Sequence, residues 1–169
     1  MSVLGHRPEP DERPRWDRIL EFADNQWTEN TRPLFFLNAS SGHMPMGFIQ
    51  ALMAMEYTPI PLSSEAEEDK VVDIGVQRTL QAIIDQGYGN VLLGSHDGDF
   101  LPLIRELLDQ GRHVGIFCFV EFLSSQIAEL VDDGLELYDL EHDIHAFQVA
   151  LPRLHIIPLH EFNPVDYLS

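Results

Sequence analysis

Along most of the chain, short apolar runs alternate with longer stretches in which apolar residues recur at helical spacing. The apolar runs predict buried strands and lie at residues 34–40, 90–95, 113–120 and 135–140. The helical stretches lie between them, at residues 47–57, 71–87, 99–111 and 124–134. Strands that alternate with helices are typical of βαβ units, which build a parallel sheet covered by helices on both faces. The pattern therefore predicts an α/β fold.

The two ends of the chain follow other patterns. Residues 1–12 are polar and read as a tail, and an amphipathic helix is expected from Pro14 to about Asn25. We therefore assign residues 1–30 to an N-terminal tail and helix, and residues 31–169 to the main domain. Two strand-like runs after His145 predict a β-rich C-terminal extension over residues 141–169, either as a hairpin or as further strands of the sheet.

A further short strand is expected at residues 57–63, where Pro59 and Pro61 favour an edge position. The length of 169 residues suits one domain with a real core, and no apolar window is long enough to span a membrane. The N-terminus lacks the pattern of a signal peptide. Cys118 is the single cysteine and lies in an apolar run, so we expect a buried thiol in a reducing cytoplasm.

The net charge of the chain restricts the partners that it can bind. Twenty-eight acidic residues against ten lysines and arginines give a formal charge of −18, and Lys70 is the only lysine. Such a surface repels nucleic acid at long range and offers few contacts to phosphate. An enzyme that acts on nucleic acid from this surface needs metal ions or a basic partner to overcome the repulsion.

Two carboxylates, Asp97 and Asp99, stand between the strand-like run that ends at Gly94 and the next helix. Ligands of open parallel sheets bind outside the carboxyl ends of the strands, and Gly98 permits a tight turn that lets both side chains reach one point. Carboxylates placed together stay ionised when a cation compensates them, and oxygen ligands suit Mg²⁺ or Mn²⁺. The alternative is that one of the two merely caps the following helix.

Two further polar residues stand at boundaries of predicted elements. Asn38 ends the first strand, and Asp73 lies among apolar neighbours near the start of the second main-domain helix. Brought together by the sheet with Asp97 and Asp99, they would form an oxygen-lined pocket. Asp73 alone could also be an ordinary acidic residue at a helix start.

These segments, in this order, resemble the NYN domain, a PIN-like nuclease family, and especially its bacterial LabA-type branch. The matching segments are "FFLNASS", "KVVDIGV" and "LLGSHDGDFLPLIRELLDQGRHVGIF", and the resemblance covers about residues 33–140. The "SHDGDFLPLI" run together with the upstream "VVD" carries most of it. The resemblance implies a three-layer α/β/α sandwich with a central, mostly parallel sheet, and metal-dependent hydrolysis of phosphodiester bonds, usually in RNA.

The resemblance also implies roles for residues. Asp73, Asp97 and Asp99 would be catalytic and would hold Mg²⁺ or Mn²⁺, with Asn38 as a further ligand. The expected neighbours of the substrate are Ser95, His96, Ser41 and Arg78. Asn38 replaces the aspartate that the family has at the end of the first strand, and Thr79 replaces a second acid in the following helix. The pocket therefore has fewer charges than is usual in the family.

Three functions follow as hypotheses. The first is a metal-dependent ribonuclease, and the second is a weakened or inactive NYN-like module that binds a protein partner or a second copy of itself. A magnesium-dependent phosphatase is the third. Four histidines at positions 142, 145, 155 and 160 invite a transition-metal interpretation, but their context favours surface or packed side chains. The segment "GSHDGDF" is neither of the common glycine-rich phosphate loops.

Overall fold

The computed structural model describes residues 9–27, 30–64, 70–95, 97–154 and 156–168, so the predicted site residue His96 lies outside it. The helices are α1 (Trp16–Gln26), α2 (Met46–Ala54), α3 (Val71–Gln86), α4 (Leu101–Asp109) and α5 (Ser125–Ala128). The strands are β1 (Leu34–Asn38), β2 (Thr58–Leu62), β3 (Val91–Gly94), β4 (Val114–Cys118) and β5 (Glu136–Asp139). From α1 to β5, the order of strands and helices is the one that the apolar pattern predicts.

All strand pairs of the described residues are parallel. β1 pairs with β2 to form a two-stranded sheet, whereas β3, β4 and β5 pair in that order to form a three-stranded sheet. The α/β class with parallel strands is confirmed, but the hydrogen bonds among the described residues define two separate sheets where a single central sheet was expected. The edge position of β2 is confirmed, since within the described chain it pairs with β1 alone.

The predicted β-rich C-terminal extension is wrong for the described residues, because no strand follows β5 there. Pro152 and Pro158 remove backbone donors that a ladder needs. The amide of Leu151 donates a hydrogen bond to Oε2 of Glu141 at 2.9 Å. Its partner is a side chain, so this bond does not belong to a β-ladder. Beyond this point the described residues form two short 3₁₀ turns, at Leu159–Glu161 and Pro164–Tyr167. Strand-forming side chains alone are therefore insufficient here.

The main core lies between the three-stranded sheet and helices α3 and α4. Its most deeply buried members come from α4 and β4, namely Leu107, Val114, Ile116 and Cys118. The prediction of a buried cysteine is confirmed. Burial raises the pKa of the Cys118 thiol to about 12, so this thiol stays protonated at neutral pH.

A second, smaller core fixes α1 to the segment that follows β5. Its buried residues are Ile19, Phe119, Leu140, Ile144 and Ala146. The amide of Arg15 also donates to the carbonyl oxygen of Ala146 at 2.6 Å. The N-terminal helix therefore packs against the segment that directly follows β5. Within the described residues, no helix is long and apolar enough to cross a membrane.

Gly75 sets how closely α3 approaches the two-stranded sheet. A Cβ atom at this position would overlap the side chain of Leu62 and lie 3.3 Å from the ring of Phe36. The helix backbone therefore rests directly on the strands, and a larger residue would push it away. This contact fixes the start of α3, where Asp73 lies.

A buried ion cluster holds the segment after β5 against the sheet. The Arg153 side chain is 6% exposed, and its guanidinium donates to Oε1 of Glu121 at 2.7 Å, to both Oδ atoms of Asp139 at 2.6 and 2.7 Å, and to Oε1 of Glu141 at 3.3 Å. Burial by itself would raise the pKa of Asp139. The hydrogen bonds from Arg153 and from the amide of His142 outweigh that effect and lower the pKa to about 2.

Replacing Arg153 tests this cluster. Arg153→Met removes the cation and leaves three carboxylates around an apolar side chain, so we expect a loss of about 3–5 kcal/mol in the free energy of unfolding. Urea denaturation measures the loss. Arg105→Met is the matched control, because Arg105 is exposed on α4. A loss below about 1 kcal/mol for Arg153→Met would contradict a structural role and place the cluster with ordinary surface pairs.

Candidate functional site

The loop that carries the two predicted carboxylates begins where β3 leaves the sheet. Gly94 is the last residue of β3 and pairs with Phe117 of β4. A Cβ atom on Gly94 would overlap the Phe117 ring. Glycine at this position therefore lets the chain pass the aromatic ring, and the loop starts at the carboxyl end of the strand as the sequence predicts.

Asp97 organises this loop. Its amide donates to Oγ of Ser95 at 3.1 Å, and its own Oδ1 accepts a hydrogen bond from the amide of Asp99 at 3.0 Å. Asp97 thus caps the 3₁₀ turn Gly98–Phe100 that leads into α4. The capping role that the sequence left as an alternative is present in the structure, and it uses one of the two carboxylate oxygens.

Asp99 makes an ion pair with Lys70, the residue that precedes α3. The distance from Nζ of Lys70 to Oδ2 of Asp99 is 3.1 Å, and the two side chains are 65% and 49% exposed. The hydrogen bond and charge of Asp99 raise the pKa of Lys70, and the charges of Asp97 and Asp73 contribute in the same direction. Lys70 therefore lies within the field of all three carboxylates.

Asp73 is the third predicted carboxylate and lies in the first turn of α3. It is half-buried, and its pKa is raised first by burial and then by the negative charge of Asp97. Asp99 adds to this effect and Lys70 opposes it. We call Asp73, Asp97 and Asp99 the acidic cluster. Asp97 and Asp99 share one loop, and their charges act on Asp73 across the gap between that loop and α3.

Asn38 and Ser41 make other contacts. Asn38 ends β1 and is exposed, and its Oδ1 accepts a hydrogen bond from the amide of Ser40 at 3.0 Å. Oγ of Ser41 accepts one from the amide of His43 at 3.3 Å. Among the described residues, no hydrogen bond joins Asn38 or Ser41 to the acidic cluster. Their side chains shape the turn after β1.

Arg78 lies exposed on α3, five residues after Asp73. Five residues correspond to a rotation of about 140° around a helix axis, so the two side chains point in different directions. The structure therefore does not bring Arg78 to the acidic cluster. Ser95, by contrast, lies in the same loop as Asp97, and its hydroxyl oxygen accepts a hydrogen bond from the amide of Asp97.

Two neighbours of the cluster are absent from the sequence prediction. Lys70 is one of them, and its position directly before the helix that carries Asp73 could have indicated it. The other is Ser124, whose Oγ would lie 3.2 Å from a Cβ atom added to Gly98. Ser124 precedes α5, which follows β4, so its signal was its position after another strand of the same sheet.

The acidic cluster fits a divalent cation in some respects. Carboxylate oxygens are the ligands that Mg²⁺ and Mn²⁺ prefer. Among the residues that the structure describes, however, no group of three or more His, Cys, Asp or Glu side chains is arranged to hold a metal ion. Asp99 is paired with Lys70, and that pair is exposed and weak enough to open. The ligand type therefore fits a divalent cation, whereas the side chains as the structure describes them are not arranged around one.

Comparison with known proteins bears on the fold. No model of a protein family matches the sequence, and no curated protein matches it. The chain is similar to the crystal structure of a protein of unknown function from Vibrio parahaemolyticus, at 19% identity and a TM-score of 0.60. The alignment covers 77% of this chain and 80% of that chain. The similarity concerns the fold alone.

Neutralising Asp73 tests the electrostatics of the cluster. Because the folded protein raises the Asp73 pKa, its ionised form lowers stability at neutral pH, and this penalty disappears once Asp73 is protonated. We therefore expect Asp73→Asn to melt about 1–3 °C higher than wild type at pH 7 in chelator. The difference should vanish below about pH 4. A lower melting temperature at pH 7 would show that Asp73 mainly stabilises the start of α3.

Proposed function

We propose that this chain is an NYN-type, PIN-like ribonuclease with a weakened acidic site that uses Mg²⁺ or Mn²⁺. One observation carries the proposal: Asp99 forms an ion pair with Lys70 at the start of α3, and the charges of Asp97 and Asp99 raise the pKa of Asp73 in the first turn of that helix. One lysine against three carboxylates leaves a negative charge beside the carboxyl end of β3, where ligands of parallel sheets bind.

The fold supports the proposal without deciding it. Parallel strands alternate with helices, and the acidic cluster lies beside the strand end where ligands of such sheets bind. A three-layer α/β/α sandwich of the PIN-like kind is part of the proposal, as is a cytoplasmic location in which Cys118 stays reduced. The resemblance of "KVVDIGV" and "SHDGDFLPLI" to the NYN domain gives the activity its chemical class.

In the proposed site, Asp73, Asp97 and Asp99 would hold the divalent cation. A bound cation would supply an activated water and stabilise charge on the scissile phosphate. The cap made by Asp97 and the hydroxyl of Ser95 keep the loop in shape. Oγ of Ser124 lies beside this loop, where a polar group can contact bound substrate or water.

Two features point to low activity. Oδ1 of Asn38 is used in the turn after β1, and an amide adds no negative charge to balance a second cation. The net charge of −18 also repels RNA. A cation at the acidic cluster would reduce this repulsion locally, so the proposed activity depends strictly on metal.

One observation favours the second candidate, a catalytically inactive NYN-like module that binds another protein. Every residue of the segment 156–168 is exposed. Its large apolar side chains are Ile156, Ile157, Leu159, Phe162, Val165, Tyr167 and Leu168. Exposed apolar surface of this kind often marks a contact with another protein. A second copy of the chain would carry the same charge of −18, so a partner with a basic surface fits better.

Cleavage of RNA in the presence of Mn²⁺ tests the nuclease. Asp97→Asn removes one negative charge and keeps the Oδ1 acceptor of the cap, so the fold should persist. We expect wild type to cleave RNA with Mn²⁺ and not with chelator, and Asp97→Asn to be slower by about tenfold or more. Gel analysis of a labelled RNA of mixed sequence measures both rates.

Asp85→Asn is the matched control, since Asp85 is exposed on α3 twelve residues beyond Asp73. It should cleave as wild type does. Equal cleavage by Asp97→Asn and wild type would point to a contaminating ribonuclease and contradict the assignment. Binding of Mn²⁺ without any cleavage would favour the protein-binding module.

A further inference from the structure

Four side chains close a ring where β4 and β5 begin, at the end of the sheet opposite the acidic cluster. Trp27 directly follows α1, and its indole stacks on the imidazole of His113 with 3.7 Å between the ring centroids. Nε2 of His113 lies 2.8 Å from Oε2 of Glu136. The hydroxyl of Tyr138 donates to the same oxygen, and Nε1 of Trp27 donates to that hydroxyl at 3.3 Å. We call these four residues the latch.

The backbone around the latch holds its rings in place. A Cβ atom at Gly115 of β4 would lie 2.7 Å from Cζ2 of Trp27, closer than two carbon atoms can pack. The glycine therefore lets the indole rest directly on the strand. The amide of His113 donates to Oδ1 of Asn90 at 2.9 Å, and its carbonyl oxygen accepts a hydrogen bond from the amide of Val91 at 3.0 Å. Both stacked rings are therefore positioned by the sheet.

The latch fixes one end of a helix that contacts both sheets. At the start of α1, the ring of Trp16 lies on that of Phe35 of β1, with 4.8 Å between the centroids. Further along the helix, Phe22 packs on Tyr138 of β5, also at 4.8 Å. Trp27 then adds its contacts with the latch at the end of the helix. Loss of the latch would therefore loosen α1 on the three-stranded sheet and leave its contact with β1.

We propose that the latch is a pH-sensitive switch, which holds the end of α1 while His113 is protonated and loosens it when His113 loses its proton. Histidine is the side chain that changes charge between about pH 5 and 8. The imidazolium form makes a cation–π contact with the indole and an ion pair with Glu136, whereas the neutral form keeps only the stacking and a weaker hydrogen bond. The stability of the docked helix end therefore falls as the pH rises through this range.

The described groups around His113 keep their charge in this range. Hydrogen bonds from Tyr138 and then from His113 lower the pKa of Glu136 despite its burial, so its carboxylate stays ionised. Burial and then Glu136 raise the pKa of Tyr138, and the charge of Asp143 adds to this effect, so the hydroxyl stays protonated. Arg112, next to His113 in the chain, stays charged and bonds to backbone carbonyl oxygens. The switch therefore depends on the charge of His113.

NMR and hydrogen exchange of the wild-type protein between pH 5.5 and 8 test the switch. The chain has two tryptophans, so two indole Nε1–H signals are expected. The Trp27 signal should shift in a single titration step, while that of Trp16 stays in place. The amide of Trp27 donates to the carbonyl oxygen of Ala23 at 3.1 Å. Its protection factor, which corrects for the intrinsic effect of pH, should be about fivefold lower at pH 8 than at pH 5.5.

Two histidine variants separate the latch from other charge effects. His113→Gln keeps a hydrogen-bonding side chain that does not titrate, so it should abolish both responses and show at every pH the low protection of wild type at pH 8. His142→Gln is the matched control, because Nε2 of His142 lies 3.9 Å from Oε1 of Glu141 in another histidine–glutamate pair outside the latch. It should respond to pH as wild type does.

The wild-type protein alone can overturn the proposal. A Trp27 indole signal and a Trp27 protection factor that do not change between pH 5.5 and 8 would show that the latch is not a switch. A pH response that persists in His113→Gln, or that disappears in His142→Gln, would assign the titration to another group and overturn the proposal as well.

Discussion

Parallel pairing of β3, β4 and β5 is the constraint on which the rest of the structure depends. It places the loop after every strand at the same end of the sheet. Asp97 and Asp99 follow β3, Ser124 lies in the segment after β4, and Asp139 ends β5. Acidic groups therefore accumulate at one end of the sheet, and each group of them requires a compensating charge.

The chain compensates these acidic groups in two chemically different ways. Around Asp139, the fixed fork of Arg153 makes several short hydrogen bonds with little exposure to solvent. Beside Asp99, Lys70 makes a single bond in an exposed position. The first arrangement stabilises the fold and leaves no room for a ligand. The second leaves the acidic cluster open to exchange, which is why we place the proposed function there.

Much of the fold follows from local patterns in the sequence. The end of α3 was predictable because Gly87 takes up the left-handed conformation that closes a helix. The carboxylates were predictable because they directly follow a strand-like run. The prediction of C-terminal strands failed because β-forming side chains do not by themselves supply a neighbouring strand to pair with. The side chain of Arg153 fixes that segment instead. The position of Lys70 directly before α3 placed it near Asp73, but its pairing with Asp99 is a tertiary contact that spacing along the chain does not reveal.

We propose that a divalent cation binds at the acidic cluster and not at the carboxylates around Arg153. Paramagnetic broadening by Mn²⁺ in amide NMR spectra tests it most directly. Substoichiometric Mn²⁺ should broaden the amide signals of Asp73, Asp97 and Asp99 more strongly than those of Glu121 and Glu141. Broadening that begins at Glu121 and Glu141, or that spreads evenly over the acidic surface, would contradict it.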